Sequence, residues 1–132
     1  AKVDMTVFFR GLAQVHTHEE FHSHVLASSY KEPELSADVS QAFWAEYDAL
    51  LNQLGLDNRA DTMNAHNPLY VLRNYLAYQA IEKAEQGDYA MIYQLQKVLS
   101  NPFEDQGYPE LSAKRPDWAA ETPGCSALSC SS

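Results

Sequence analysis

The sequence predicts an all-α fold, a compact helical domain of about five or six helices followed by an irregular C-terminal tail. Three observations predict it. Apolar side chains recur at spacings of three and four in several separate stretches. Cap and breaker residues sit between those stretches, where helices must start and stop. No alternation of period two runs long enough to mark a strand, and no repeat of solenoid length is present.

In chain order, Asp4 is placed to cap a first helix whose apolar positions are Val7, Phe8, Leu12 and Val15. Thr17 and Glu20 have the spacing of a capping box, in which the hydroxyl and carboxylate each take an otherwise orphaned amide. Phe21, Val25 and Leu26 supply the apolar side of that second helix. A loop with Pro33 covers residues 28–36. From Ala37 to Leu54 the residues Phe43, Trp44, Tyr47, Leu50, Leu51 and Leu54 repeat at three and four, and Gly55 stands where a left-handed residue ends a helix. A shorter helix is expected from Asp57 to Ala65.

Asn67 as cap and Pro68 at the first helical position predict a long helix to about Gln86, with Leu69, Leu72, Leu76, Ala80 and Ala84 on one stripe. Gly87 ends it. Asp88 caps the next, in which Ile92, Leu95, Val98 and Leu99 face inward until Asn101-Pro102. So short a link makes the two an antiparallel hairpin. Residues 1–101 are thus expected to form one helical domain and residues 102–132 an irregular tail with Pro109, Pro116 and Pro123, its one helical turn at Asp117-Trp118-Ala119-Ala120.

Composition narrows the function. At 132 residues with 45% apolar content the chain has the makings of a globular core. Eighteen acidic against nine basic residues give a formal charge of −9, which repels nucleic-acid phosphates and anionic lipid, so neither is an expected partner. No apolar run reaches the roughly 20 residues that span a bilayer. No secretory leader pattern is found at the start, and a cytoplasmic location is expected. The opening Ala1-Lys2-Val3-Asp4-Met5, with an apolar pattern starting almost at once, suggests a piece of a longer chain.

Chemistry-bearing constellations are few. The five glycines are isolated, at 11, 55, 87, 107 and 124, so no glycine-rich loop cradles a phosphate. No nucleophile stands beside a base, and the carboxylates read as a solvated face. His16, His18, His22 and His24 form one cluster of metal-ligand type. His18 and His22, at i and i+4, share a helix face. Two imidazoles fall short of the four ligands of a structural zinc, so solvent-facing histidines are preferred over a metal site. Arg73-Asn74 lies beside the apolar stripe and is either solvent-facing or a polar contact to another element. Cys125 and Cys130, near the end, enclose four residues; a local disulfide is sterically open but is no known redox motif, and the near-terminal Cys130 is an exposed, reactive thiol.

The run Asn67-Pro68-Leu69-Tyr70-Val71-Leu72-Arg73-Asn74-Tyr75-Leu76-Ala77 is followed by Gln79-Ala80-Ile81, Ala84-Glu85 and Gly87-Asp88. With Phe8-Phe9-Arg10, Asn101-Pro102-Phe103, Pro116-Asp117-Trp118-Ala119 and Ser129-Cys130-Ser131-Ser132, it resembles the C-terminal region of the selenoprotein O family. The resemblance implies a pseudokinase that holds ATP with Mg or Mn and transfers AMP to Ser, Thr or Tyr of protein substrates. It places the catalytic, nucleotide-binding and metal-binding residues upstream, so this chain alone is expected to hold none of them and to bind no cofactor. The upstream kinase-like domain is its implied partner. Cys130 stands where eukaryotic members have selenocysteine. Their pairing cysteine three positions earlier is replaced by Ala127, and resemblance to bacterial members implies that Cys130 bonds a cysteine of the upstream part. The alternative, a free-standing acidic helical interaction module, is distinguished by the sequence preceding Ala1.

Overall fold

The structure, a computed structural model, describes residues 2–125. Among the described residues it is helical without a strand, and a single antiparallel bridge joins Val3 to Ser29. The helices are α1 (Met5–Leu12), α2 (His18–Ser28), α3 (Ala37–Leu54), α4 (Arg59–His66), α5 (Asn74–Glu85), α6 (Ala90–Ser100), α7 (Pro109–Ser112) and α8 (Asp117–Glu121). No described helix is long and apolar enough to cross a membrane.

The chain forms two compact units, Ala1–Asn67 and Pro68–Ser132, where one domain was expected with its tail beginning at residue 102. The segment after Pro102 takes part in the core of the second unit. Leu111, Ala119 and Cys125 are buried with Tyr70, Tyr75, Leu76, Ala80, Met91, Leu95 and Val98 in a single cluster. Prolines make that segment irregular without making it peripheral.

In the first unit, local chemistry places the helices as the sequence reads. Asp4 caps α1, its Oδ1 accepting from the Val7 amide at 3.1 Å, and its Oδ2 accepts the Tyr30 hydroxyl at 2.6 Å. The Thr17–Glu20 capping box opens α2 with both reciprocal bonds made. Ser36 caps α3, and Gly55 closes it at φ 60°, a left-handed conformation in which a side chain would be strained. Phe21, Val25, Leu12, Val15 and Trp44 form the core, with Phe8, Leu35, Tyr47 and Met63 packed against it.

The apolar repeat on α3 overstates its burial. Only Trp44 is buried among the six large residues of that repeat, whereas Phe43, Leu50 and Leu54 are more than half exposed.

The second unit departs further from expectation. The helix expected from Pro68 begins only at Asn74, and the residues before it run extended, with Arg73 at φ −81° and ψ 147°. The amides of Leu69 and Tyr70 both donate to the Pro102 carbonyl, at 2.8 and 3.2 Å, and so are committed outside any helix. Leu72 is therefore exposed, while Leu76 and Ala80 keep the inward positions. α6 turns Met91, Leu95 and Val98 inward and leaves Ile92 exposed. The N-cap position of α6 falls to Tyr89 and not to Asp88, whose carboxylate, one residue earlier, accepts from the Ala90 amide at 3.0 Å.

Candidate functional site

The histidine cluster lies within the first unit, and its members have separate partners. The i, i+4 pair on α2 turns toward α3. His18 Nε2 lies 3.3 Å and His22 Nδ1 3.4 Å from the Ser40 hydroxyl, with the two rings 6.3 Å apart. Ser40 is fully buried, so its hydroxyl must find its partners here, and it can donate to one ring nitrogen while accepting from an N–H of the other. The rings are half-buried, so the expectation of solvent-facing histidines is corrected for this pair. His24 stacks on Phe8, centroids 5.5 Å apart, with its Nε2 at 2.8 Å from the Phe8 carbonyl, a geometry in which that nitrogen carries the proton and donates. His16 remains exposed, its Nδ1 3.0 Å from Arg59 Nη2. No group of three or more His, Cys, Asp or Glu side chains suited to a metal ion occurs among the described residues.

Ser40→Ala is expected to cost about 1 kcal/mol, because it strips the shared partner from two half-buried imidazoles. Urea unfolding measures it. A variant as stable as the parent would mean that the two rings turn to water instead.

A polar cleft of about 300 Å³ is lined by residues that include His16, Asp48, Asn52, Asp57 and Arg59. Its cation has a structural task. Arg59 at the start of α4 donates through Nη2 to the Val15 carbonyl at 2.6 Å and through Nη1 to the Leu12 carbonyl at 3.5 Å, covering the C-terminal end of α1. Arg10 near the end of α1 returns the service, its Nη1 donating to the carbonyls of Asn64 and Asn67 at 2.8 and 2.9 Å, at the end of α4. A cation against carbonyls that no amide of the helix can reach is favourable both as a hydrogen bond and toward the helix dipole. Arg10 in the last turn of α1 is a visible candidate for capping a helix end, whereas Arg59 at the first position of α4 carries no such signal. The identity of the helix being capped, some 50 positions away, is visible for neither.

In the second unit Arg73 and Asn74, left open between solvent and a polar contact, are both buried, at the N-terminal end of α5 and not in mid-helix. Tyr70, 1% exposed, is a polar hub that the sequence did not mark. Its hydroxyl donates to Asp105 Oδ1 at 3.3 Å and accepts from the Gln106 amide at 3.0 Å. Cys125 is a buried thiol, and burial together with the nearby Glu82 charge pushes it above its ordinary pKa, away from the reactive thiolate. Glu82 also raises the Tyr78 phenol, by hydrogen bonding and by charge. Cys130, the redox candidate, lies outside the described residues, as does any pairing with Cys125.

A family model described as "Protein adenylyltransferase SelO" matches residues 1–100. Among curated proteins, the chain is 44% identical over 137 aligned positions to a protein nucleotidyltransferase YdiU of Xanthomonas campestris pv. campestris (strain B100). It is 45% identical over 139 positions to that of Azoarcus sp. (strain BH72), and 46% over 138 to that of Tolumonas auensis. In each case all of this chain is covered but 26% of the relative, so the chain spans about a quarter of the length of the proteins it matches.

Proposed function

Because this chain belongs to the SelO family, with relatives named protein nucleotidyltransferases, we propose that it is the C-terminal helical part of a protein adenylyltransferase. In this reading the longer protein transfers AMP from ATP to Ser, Thr or Tyr hydroxyls of cytoplasmic protein substrates. The present chain supports the kinase-like lobe and carries the redox-sensitive Cys130. The observation that carries the reading is a family match over residues 1–100 in a chain a quarter as long as its relatives.

The residues described here fit a supporting role better than a nucleotide site. Arg10 and Arg59, two of the chain's cations, are committed to helix ends. In this reading ATP and its Mg or Mn ion are held by residues of the longer protein outside this chain, where they would supply the reactive phosphate and its charge neutralisation.

Transfer of label from α-labelled ATP to protein tests this. The full-length protein is expected to label protein, and this chain alone is not. Oxidation is expected to change the activity of the parent in a manner that Cys130→Ser removes. Labelling by the isolated chain, or a full-length protein without transfer, overturns the reading.

A further inference from the structure

We propose that the outer face of α3 is a docking ridge, covered in the longer protein by a segment outside these 132 residues that is apolar where it meets the ridge and flanked by Lys or Arg. The inference rests on the reading of the chain as part of a larger family protein and names the surface through which it is held.

The row runs along the helix, with Glu46 between Phe43 and Leu50. Val39, Phe43, Leu50 and Leu54 are 59%, 53%, 52% and 58% exposed, and their spacings of four, seven and four put them in one row along the helix. Single exposed apolar residues are ordinary on any surface, but four aligned over the length of one helix have the pattern by which a helix seats in a complementary groove. Beside the row, Phe43, Glu46, Tyr47, Ala49, Leu50 and Gln53 line a shallow groove of about 580 Å³. The ridge is also braced from behind. Phe43 stacks on Phe21 at 5.4 Å and on Tyr47 at 6.4 Å, so its ring is held in place before any partner arrives.

Charge and length select the occupant. Glu46 is the acidic residue of α3 that lines this groove, Asp48 lining the polar cleft on the other side, and α3 has no basic residue. A second copy laid against the same face would offer Glu46 no basic residue of α3, in a chain whose formal charge is already −9. A segment with basic flanks offers it one. The relatives have about three quarters of their length beyond the part this chain matches, which is ample chain to supply it.

The test uses the full-length protein with the photo-crosslinker benzoylphenylalanine in place of Leu50, an exposed site where a bulky group does not disturb the core. Irradiation and mass spectrometry are expected to give products within one chain, joining position 50 to a segment outside this sequence. Glu46→Lys, which reverses charge beside the ridge, is expected to lower their yield at least fivefold. Cross-links only between copies, or none, overturn the proposal, as does a yield that Glu46→Lys leaves unchanged. AMP transfer is scored on the same preparation. Transfer without the cross-link sinks the ridge alone, and the cross-link without transfer sinks the proposed activity alone.

Discussion

Leu76→Ala is expected to lower the stability of the second unit by about 2 to 5 kcal/mol, the range for deleting most of a buried leucine side chain and leaving a cavity. Leu76 is 2% exposed and lies in the cluster that joins α5 and α6 to Leu111, Ala119 and Cys125. Three stretches of sequence meet at this core, so its walls are tied by separate backbone segments and collapse poorly into a void, which favours the upper part of the range. Urea unfolding followed by helical circular dichroism, with hydrogen exchange across α5 and α6, measures the effect. A loss under about 0.5 kcal/mol would mean that the leucine is not the core residue its burial indicates. Ile81→Ala, at a 54% exposed position on the same helix, serves as the contrast and should change little.

Trp44→Ala is expected to cost about 3 to 5 kcal/mol in the first unit. The indole is the largest side chain of that core, 9% exposed, with its ring 5.6 Å from Phe21 and 5.8 Å from Tyr47. Removing it takes away both the buried area and the aromatic contacts through which α3 holds α2. Trp44→Phe keeps part of the volume and should recover a good share of the loss. Exchange protection in α1 to α3 is the readout, and protection unchanged by Trp44→Ala would show that α3 is held by other contacts.

The two variants differ in how far the sequence foretold them. Leu76 falls on the inward stripe whether the helix starts at Pro68 or at Asn74, because a later start removes residues without rotating those that remain. On α3 the periodicity was real but broad, and it named Phe43 and Leu50 in the same breath as Trp44. A repeat identifies which residues share a side of a helix. It does not say how much of that side another element covers.

Much of the local architecture followed from neighbouring residues alone. The Asp4 cap, the Thr17–Glu20 capping box and the left-handed Gly55 all appear where their spacing put them, because each depends on groups within four positions along the chain. The shared face of His18 and His22 was legible for the same reason. Family membership was legible too, since it is carried by the order of residues itself.

Tertiary structure decided where distant groups compete for the same backbone or the same space. Asn67-Pro68 has the chemistry of a helix start, yet the carbonyl of Pro102 takes the amides of Leu69 and Tyr70 and defers the helix to Asn74. Ser40 completes the histidine pair from another helix, and Arg10 and Arg59 exchange caps across about 50 positions. The proline-rich segment after residue 102 contributes Leu111, Ala119 and Cys125 to a core that its irregular backbone gave no reason to expect. In each case the deciding partner is remote in sequence, and a hydrogen bond or a buried contact of that kind exists only once the chain has closed the loop between them.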